Sequence, residues 1–133
     1  MNSKNGPTEL FDRERKRRFR DRAYRRSHGK DFMGQIMSKE LLDRLSLVKR
    51  DFNRCLLIGQ AGHNLRSALN DLNIETVAAD ASFMFAHSLN GVQCDEDRLP
   101  FADHSFDLII NVATLDSVND LPGALALARR ILK

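Results

Sequence analysis

Residues 55–64, Cys-Leu-Leu-Ile-Gly-Gln-Ala-Gly-His-Asn, run a short apolar segment into a glycine-bearing turn. Glycine permits both a tight bend and a close approach of backbone to ligand. In open α/β sheets, ligands sit at the carboxyl ends of the strands, where such turns lie. Gly59 closes the apolar segment as a nucleotide turn requires. The third and fifth turn positions, however, are Ala61 and His63, and Gly62 is offset by one. By itself the turn favours an ordinary strand–loop–helix corner over a nucleotide site. Asp80 is the stronger signal. It lies 21 residues beyond Gly59, at the end of the next apolar segment. A carboxylate there can accept hydrogen bonds from both ribose hydroxyls of an adenosine. It can equally cap the helix that begins at Ala81. Asp95, at the end of a third segment, has the same two readings.

Other chemistries find less support. His28, His63, His87 and His104 are scattered without metal-ligand spacing. Cys55 and Cys94 each sit in an apolar run, which reads as a pair of reduced core thiols in a cytosol-like compartment. Residues 13–26, Arg-Glu-Arg-Lys-Arg-Arg-Phe-Arg-Asp-Arg-Ala-Tyr-Arg-Arg, could form an arm for nucleic acid or an anionic membrane. Interspersed acids, few aromatics and no groove-reading motif favour a solvated helix face or a lid instead. No run of 18 apolar residues exists to span a membrane. The amino terminus has no apolar signal core, and its acids argue against a transit peptide, so a cytoplasmic location is expected.

The elements that must position these residues can be read from patterning. A chain of 133 residues supports one modest core. Its net charge of +3 is uneven: residues 9–30 hold ten lysines and arginines against four acids, whereas residues 31–133 hold ten against fourteen. Thr8 is placed to cap a first, Arg-rich helix, with Glu9 in its first turn. Phe19 and Ala23 give that helix a thin apolar stripe, and it must dock to be stable. A second helix is expected from about Asp31 to Leu47, amphipathic through Phe32, Met33, Ile36, Met37, Leu41 and Leu45. From Phe52 onward, short apolar runs alternate with short helices. Strands are expected at 55–59, 74–79, 91–94 and 106–112. The intervening helices present Leu65, Leu69 and Leu72, and then Leu121, Leu125, Ala128 and Leu132. Such alternation implies right-handed βαβ crossovers and a parallel sheet.

Residues 95–133 resemble class I S-adenosylmethionine (SAM) dependent methyltransferases of the type 11 kind. Asp95, Leu99, Pro100, Phe101, Phe106, Asp107, Leu108 and Asn119 to Pro122 match that family's pattern position by position. The opening Leu10-Phe11-Asp12-Arg13 with its Arg-rich helix, followed by Leu41-Leu42-Asp43-Arg44-Leu45, is similar to bacterial relatives of a mitochondrial complex I assembly factor. A related group methylates the malonyl carrier protein. The resemblance covers about residues 10–133. It implies an α/β fold: the N-terminal half of a Rossmann-like methyltransferase domain, about four parallel strands in order 3-2-1-4, preceded by two helices. Residues 1–50 would be a basic helical lid and 51–133 a partial SAM-binding domain, truncated relative to a family whose members continue about as long again.

The resemblance further implies that SAM lies over the turn at Gly59, Gln60 and Ala61, with Asp80 on the ribose. Asp95 and Glu96 would border the adenine, and Asn111 would face the methionine or acceptor side. Departures from the family argue against turnover. Leu57 stands where an acidic residue usually helps bind the methionine ammonium, Ala61 and His63 replace glycines, and Asp116-Ser117 replaces a frequent His-Trp. Asp116 is a candidate acceptor-side acid, though loop solvation or helix capping is favoured. A SAM-dependent methyltransferase-like protein is therefore the first functional expectation. The alternative is a non-catalytic assembly module docking an acidic protein partner through its basic helix. Either could self-associate through the edge strand expected at 106–112.

Overall fold

The computed structural model describes residues 9–28, 30, 32–59 and 62–133. Thr8, Gln60, Ala61 and the side chain of His63 lie outside the described residues. Helices α1 (Arg13–Ser27) and α2 (Phe32–Ser46) precede an α/β unit. That unit runs β1 (Arg54–Gly59), α3 (Gly62–Asp71), β2 (Glu75–Asp80), α4 (Phe83–Ser88), β3 (Val92–Gln93), β4 (Leu108–Val112) and α5 (Leu121–Ile131). A short 3-10 turn at Leu115–Ser117 links the last two. The four strands form one parallel sheet in the order β3-β2-β1-β4, as the sequence and its resemblance imply.

β1 is buried on both faces, which its unbroken apolar run requires of a central parallel strand. Its side chains alternate between two cores. Cys55 and Leu57 join Leu65, Leu69, Ile110 and Val112 on the side that α2 covers with Met37, Leu41, Leu42 and Leu45. Leu56 and Ile58 join Leu99, Phe106 and Ile131 on the side covered by α5. Both cysteines are free and buried, and burial pushes their thiols up to about 12. No helix among the described residues is long and apolar enough to cross a membrane.

Several local expectations are corrected. α1 is capped by Asp12, whose carboxylate accepts from the Arg15 amide at 3.0 Å. α4 is capped by Ser82 instead of Asp80. In α5, capped by Asp120 with Pro122 in its first turn, the packed stripe is Ala124, Leu127 and Ile131. Leu121 and Leu125 are exposed, because the stripe facing the sheet lies to one side of these two leucines. Leu72 is likewise exposed, as are Phe32, Met33 and Ile36 on the first half of α2. Phe106 is not within β4. It forms an isolated parallel bridge with Leu132, so the open edge on this side of the sheet begins at Leu108.

Candidate functional site

Three acidic positions gather where β2 and β3 end. Asp80 is the last residue of β2, and Asp95 and Glu96 follow β3 after Cys94; all three are buried. Buried carboxylates require partners, and α1 supplies them. Arg13, Lys16, Arg17, Arg20, Asp21 and Tyr24 recur at three- and four-residue steps and so share one helix face. That face lies across the strand ends.

Each cation on it meets an acid. Arg20 grips Asp80 in fork geometry, Nε to Oδ1 at 3.0 Å and Nη2 to Oδ2 at 2.6 Å. The Ser82 amide also donates to Asp80 Oδ1, at 2.8 Å. Arg17 Nη2 donates to Asp95 Oδ2 at 2.9 Å, and Lys16 Nζ to Glu96 Oε2 at 3.0 Å. Arg13 holds Asp97 through two hydrogen bonds of 2.6 and 2.8 Å and lies 3.3 Å from Asp95. Both ends of the helix are fastened too. The Phe11 amide donates to Asn119 Oδ1 at 2.7 Å, and Asn119 Nδ2 donates back to the Phe11 carbonyl at 3.0 Å. Asp21 accepts from Ser82 Oγ and from the Met84 amide at the start of α4. Tyr24 packs edge-on against Phe85, with ring centres 5.1 Å apart.

The docking stripe is thus charged, not the expected apolar pair. Phe19 is 51% exposed, and Ala23 is exposed as well. No residue of α1 is fully buried. Asp97, which sequence reasoning passed over, completes the acidic cluster. The available signal was complementarity: four cations at one-face spacing and three consecutive acids at 95–97.

The Arg13 hydrogen bonds hold the Asp97 carboxyl below its ordinary value of 3.8. A depressed folded value means the stabilisation is complete above the unfolded value and is lost as pH falls through the folded one. Asp97→Asn is therefore expected to loosen α1 at neutral pH by about 1–2 kcal/mol, and the parent should approach the variant below about pH 4. Tyr24 is the chain's single tyrosine, and there is no tryptophan, so the tyrosine band of the near-ultraviolet dichroism, at longer wavelength than the phenylalanine bands, reports α1 docking. Parent and variant signals that stay parallel from pH 7 to pH 3 would refute this assignment.

Gly59 ends β1 with φ +94°, where a side chain is strained. Its partner across the sheet is Val112. Asn111 lies on β4 apart from the acidic cluster, on the open edge beside Leu41 and Arg44 of α2, and accepts from Thr114 Oγ1 at 3.3 Å. Asp116 sits in the 3-10 turn. Of the sequence-derived residues, Asp80, Asp95 and Glu96 come together under α1, and Asn111 does not join them.

Comparison with known proteins places this geometry. Residues 55–133 match the family model described as a methyltransferase domain. The chain is 29% identical to the mitochondrial arginine-hydroxylase NDUFAF5 of Rattus norvegicus and 30% identical to that of Danio rerio, each alignment covering 93% of this chain. The alignments cover 39% and 42% of those proteins, so the chain spans about two fifths of the length of the curated relatives it matches. A SAM-dependent methyltransferase structure from Aquifex aeolicus superposes with a TM-score of 0.58 at 16% identity, over 92% of this chain and 68% of that one. At that identity the likeness concerns the fold.

Proposed function

Because the chain belongs to the methyltransferase domain family, with the fold of SAM-dependent methyltransferases, we propose that it binds SAM at the carboxyl ends of β1, β2 and β3. Asp80 takes the ribose hydroxyls, and Asp95 and Glu96 border the adenine. The turn from Gly59 through Gln60 and Ala61 lies under the adenosine. Asn111, toward α2, borders the acceptor side. When bound, the cofactor supplies an electrophilic methyl group. Transfer from a sulfonium rests on in-line positioning and exclusion of water, so no acid–base dyad is required of this chain.

The observation that carries the reading is Asp80: a carboxylate only 4% exposed, at the end of the strand beside β1, with both oxygens engaged by a two-pronged donor. A vicinal diol is a donor of the same form. The residues present therefore fit an adenosine, provided the guanidinium gives way. Calorimetric titration with SAM, both chains carrying Arg20→Gln so that neither holds the Arg20–Asp80 ion pair, is expected to release heat with Asp80 present and to show affinity weaker by about tenfold or more in Asp80→Asn, since a charge-assisted hydrogen bond contributes about 1.5–3 kcal/mol. Equal affinity in the two chains, or no heat from either, would overturn the reading.

One observation favours a second function, docking of an acidic protein partner. The outward face of α1 exposes Arg15, Arg22, Arg25 and Arg26. The Arg15 and Arg22 guanidinium groups lie 5.4 and 5.6 Å from the ring centre of Phe19. Such a half-exposed aromatic flanked by cations suits an acidic segment carrying an apolar anchor.

A further inference from the structure

The Asp80 carboxylate offers about four acceptor positions, and three are taken, which leaves too few for a pair of hydroxyls. Arg20 Nε and Nη2 occupy one side of each oxygen, and the Ser82 amide takes another on Oδ1. A guanidinium fork presents two parallel N–H donors to a carboxylate. Two neighbouring ribose hydroxyls present two O–H donors to the same pair of oxygens. The two sets cannot be accommodated together. Arg17 and Lys16 extend the overlap by engaging Asp95 and Glu96, which border the adenine in the cofactor reading.

We propose that Arg20 is an internal ligand of the Asp80 carboxylate, so that α1 and an adenosine-bearing cofactor occupy the strand ends in mutual exclusion. The inference rests on the cofactor reading above and adds a step to it: α1 is displaced by the cofactor instead of closing over it.

The bonding of α1 suits a reversible contact. It contributes nothing fully buried to either core, so its release leaves the sheet intact. Much of its hold consists of ion pairs, beside the Phe11–Asn119 and Asp21 hydrogen bonds, and pairs whose cations are partly exposed weaken with salt. The docked state is also incompletely satisfied, for the buried Arg17 Nε has no hydrogen-bond partner among the described residues. Apart from Tyr24 against Phe85, the apolar element is the Arg20 guanidinium over the Phe85 ring, 5.0 Å from its centre. That contact belongs to the same side chain that grips Asp80.

A latch of this kind lowers apparent affinity by the fraction of molecules in which it stands open. The test follows heat and the Tyr24 dichroism together while SAM is added to four full-length chains: the parent, Arg20→Gln, Arg17→Gln and Arg18→Gln. Arg17→Gln loosens the same helix without touching Asp80, and so serves if Arg20→Gln folds poorly. Among the described residues Arg18 pairs with Glu14 alone, on the outer face, and it is the control. SAM is expected to move the Tyr24 signal of the parent toward that of ligand-free Arg20→Gln. Arg20→Gln should bind roughly tenfold tighter than the parent, Arg17→Gln should shift the same way, and Arg18→Gln should match the parent. Heat with an unmoved Tyr24 signal, and affinity in Arg20→Gln equal to or weaker than the parent, would overturn the latch while keeping the cofactor. No heat from any chain, including Arg20→Gln with its Tyr24 signal already released, would sink the cofactor reading and the latch with it.

Discussion

Gly59→Ala is expected to lower folding stability by about 3 kcal/mol, combining a left-handed backbone that disfavours alanine by about 1–2 kcal/mol with overpacking of about 1–3 kcal/mol. The position fails on both counts. Its φ of +94° lies where L side chains are strained, and an added Cβ would lie 2.4 Å from both Thr114 Cγ2 and the Val112 carbonyl oxygen. The threonine methyl could rotate aside. The carbonyl cannot, because Val112 is the register partner of Gly59 in the β1–β4 pairing. Relief therefore requires parting the two strands at the end where the candidate site lies. A domain of this size holds about 5–15 kcal/mol in total, so the variant should unfold at markedly lower urea concentration. A loss below about 1 kcal/mol would mean that β1 and β4 separate freely at this end. Any loss of SAM binding in this variant would follow from the distorted strand ends and would not identify Gly59 as a cofactor contact.

The parts of this fold legible in the sequence are those governed by apolar periodicity. Residues 55–59 and 108–112 have no polar alternation that would suit a half-exposed strand, so a two-faced parallel sheet followed directly. Asp80 was legible by position alone, since a residue at the end of the second strand must stand at the mouth of the sheet. Its partner was not. Arg20 lies 60 residues away, and a lone arginine among nine cations in α1 carries no address. The docking face of α1 was misread for a general reason: charged residues are ordinarily solvated, so a helix is expected to dock through its few apolar side chains. Here the surface beneath is itself acidic, and complementarity reverses the rule. The shift in α5 has the opposite origin. Leucines drew attention to one face, while Ala124, Leu127 and Ile131, the residues that fit against the sheet, are partly small. Glu96 and Asn111 entered only through family resemblance, and of these Glu96 joins the cluster.

Phe106→Ala is expected to destabilise the chain by about 3–5 kcal/mol, the range for truncating a buried aromatic side chain. Phe106 is 1% exposed and belongs to the core formed by Leu56, Ile58, Leu99 and Ile131. Its ring meets Phe101 edge-on at 5.4 Å and lies beneath the Arg54 guanidinium at 5.0 Å. Its backbone is equally committed, for its amide donates to the Ile131 carbonyl at 3.0 Å and its carbonyl accepts from the Lys133 amide at 2.8 Å. One residue thus joins the approach to β4, the tail of α5 and the first residue of β1. Phe83→Ala is the natural contrast, since Phe83 is 55% exposed and among the described residues stacks on His87 alone. That change should fall within about 0.5–1 kcal/mol. Urea unfolding of both variants, followed by far-ultraviolet dichroism, separates the cases. A Phe106→Ala loss as small as that of Phe83→Ala would mean that α5 and its tail detach without disturbing the sheet. The core on that side would then be two independent pieces, and the strand ends bearing Asp95 and Glu96 would lack a rigid support from below.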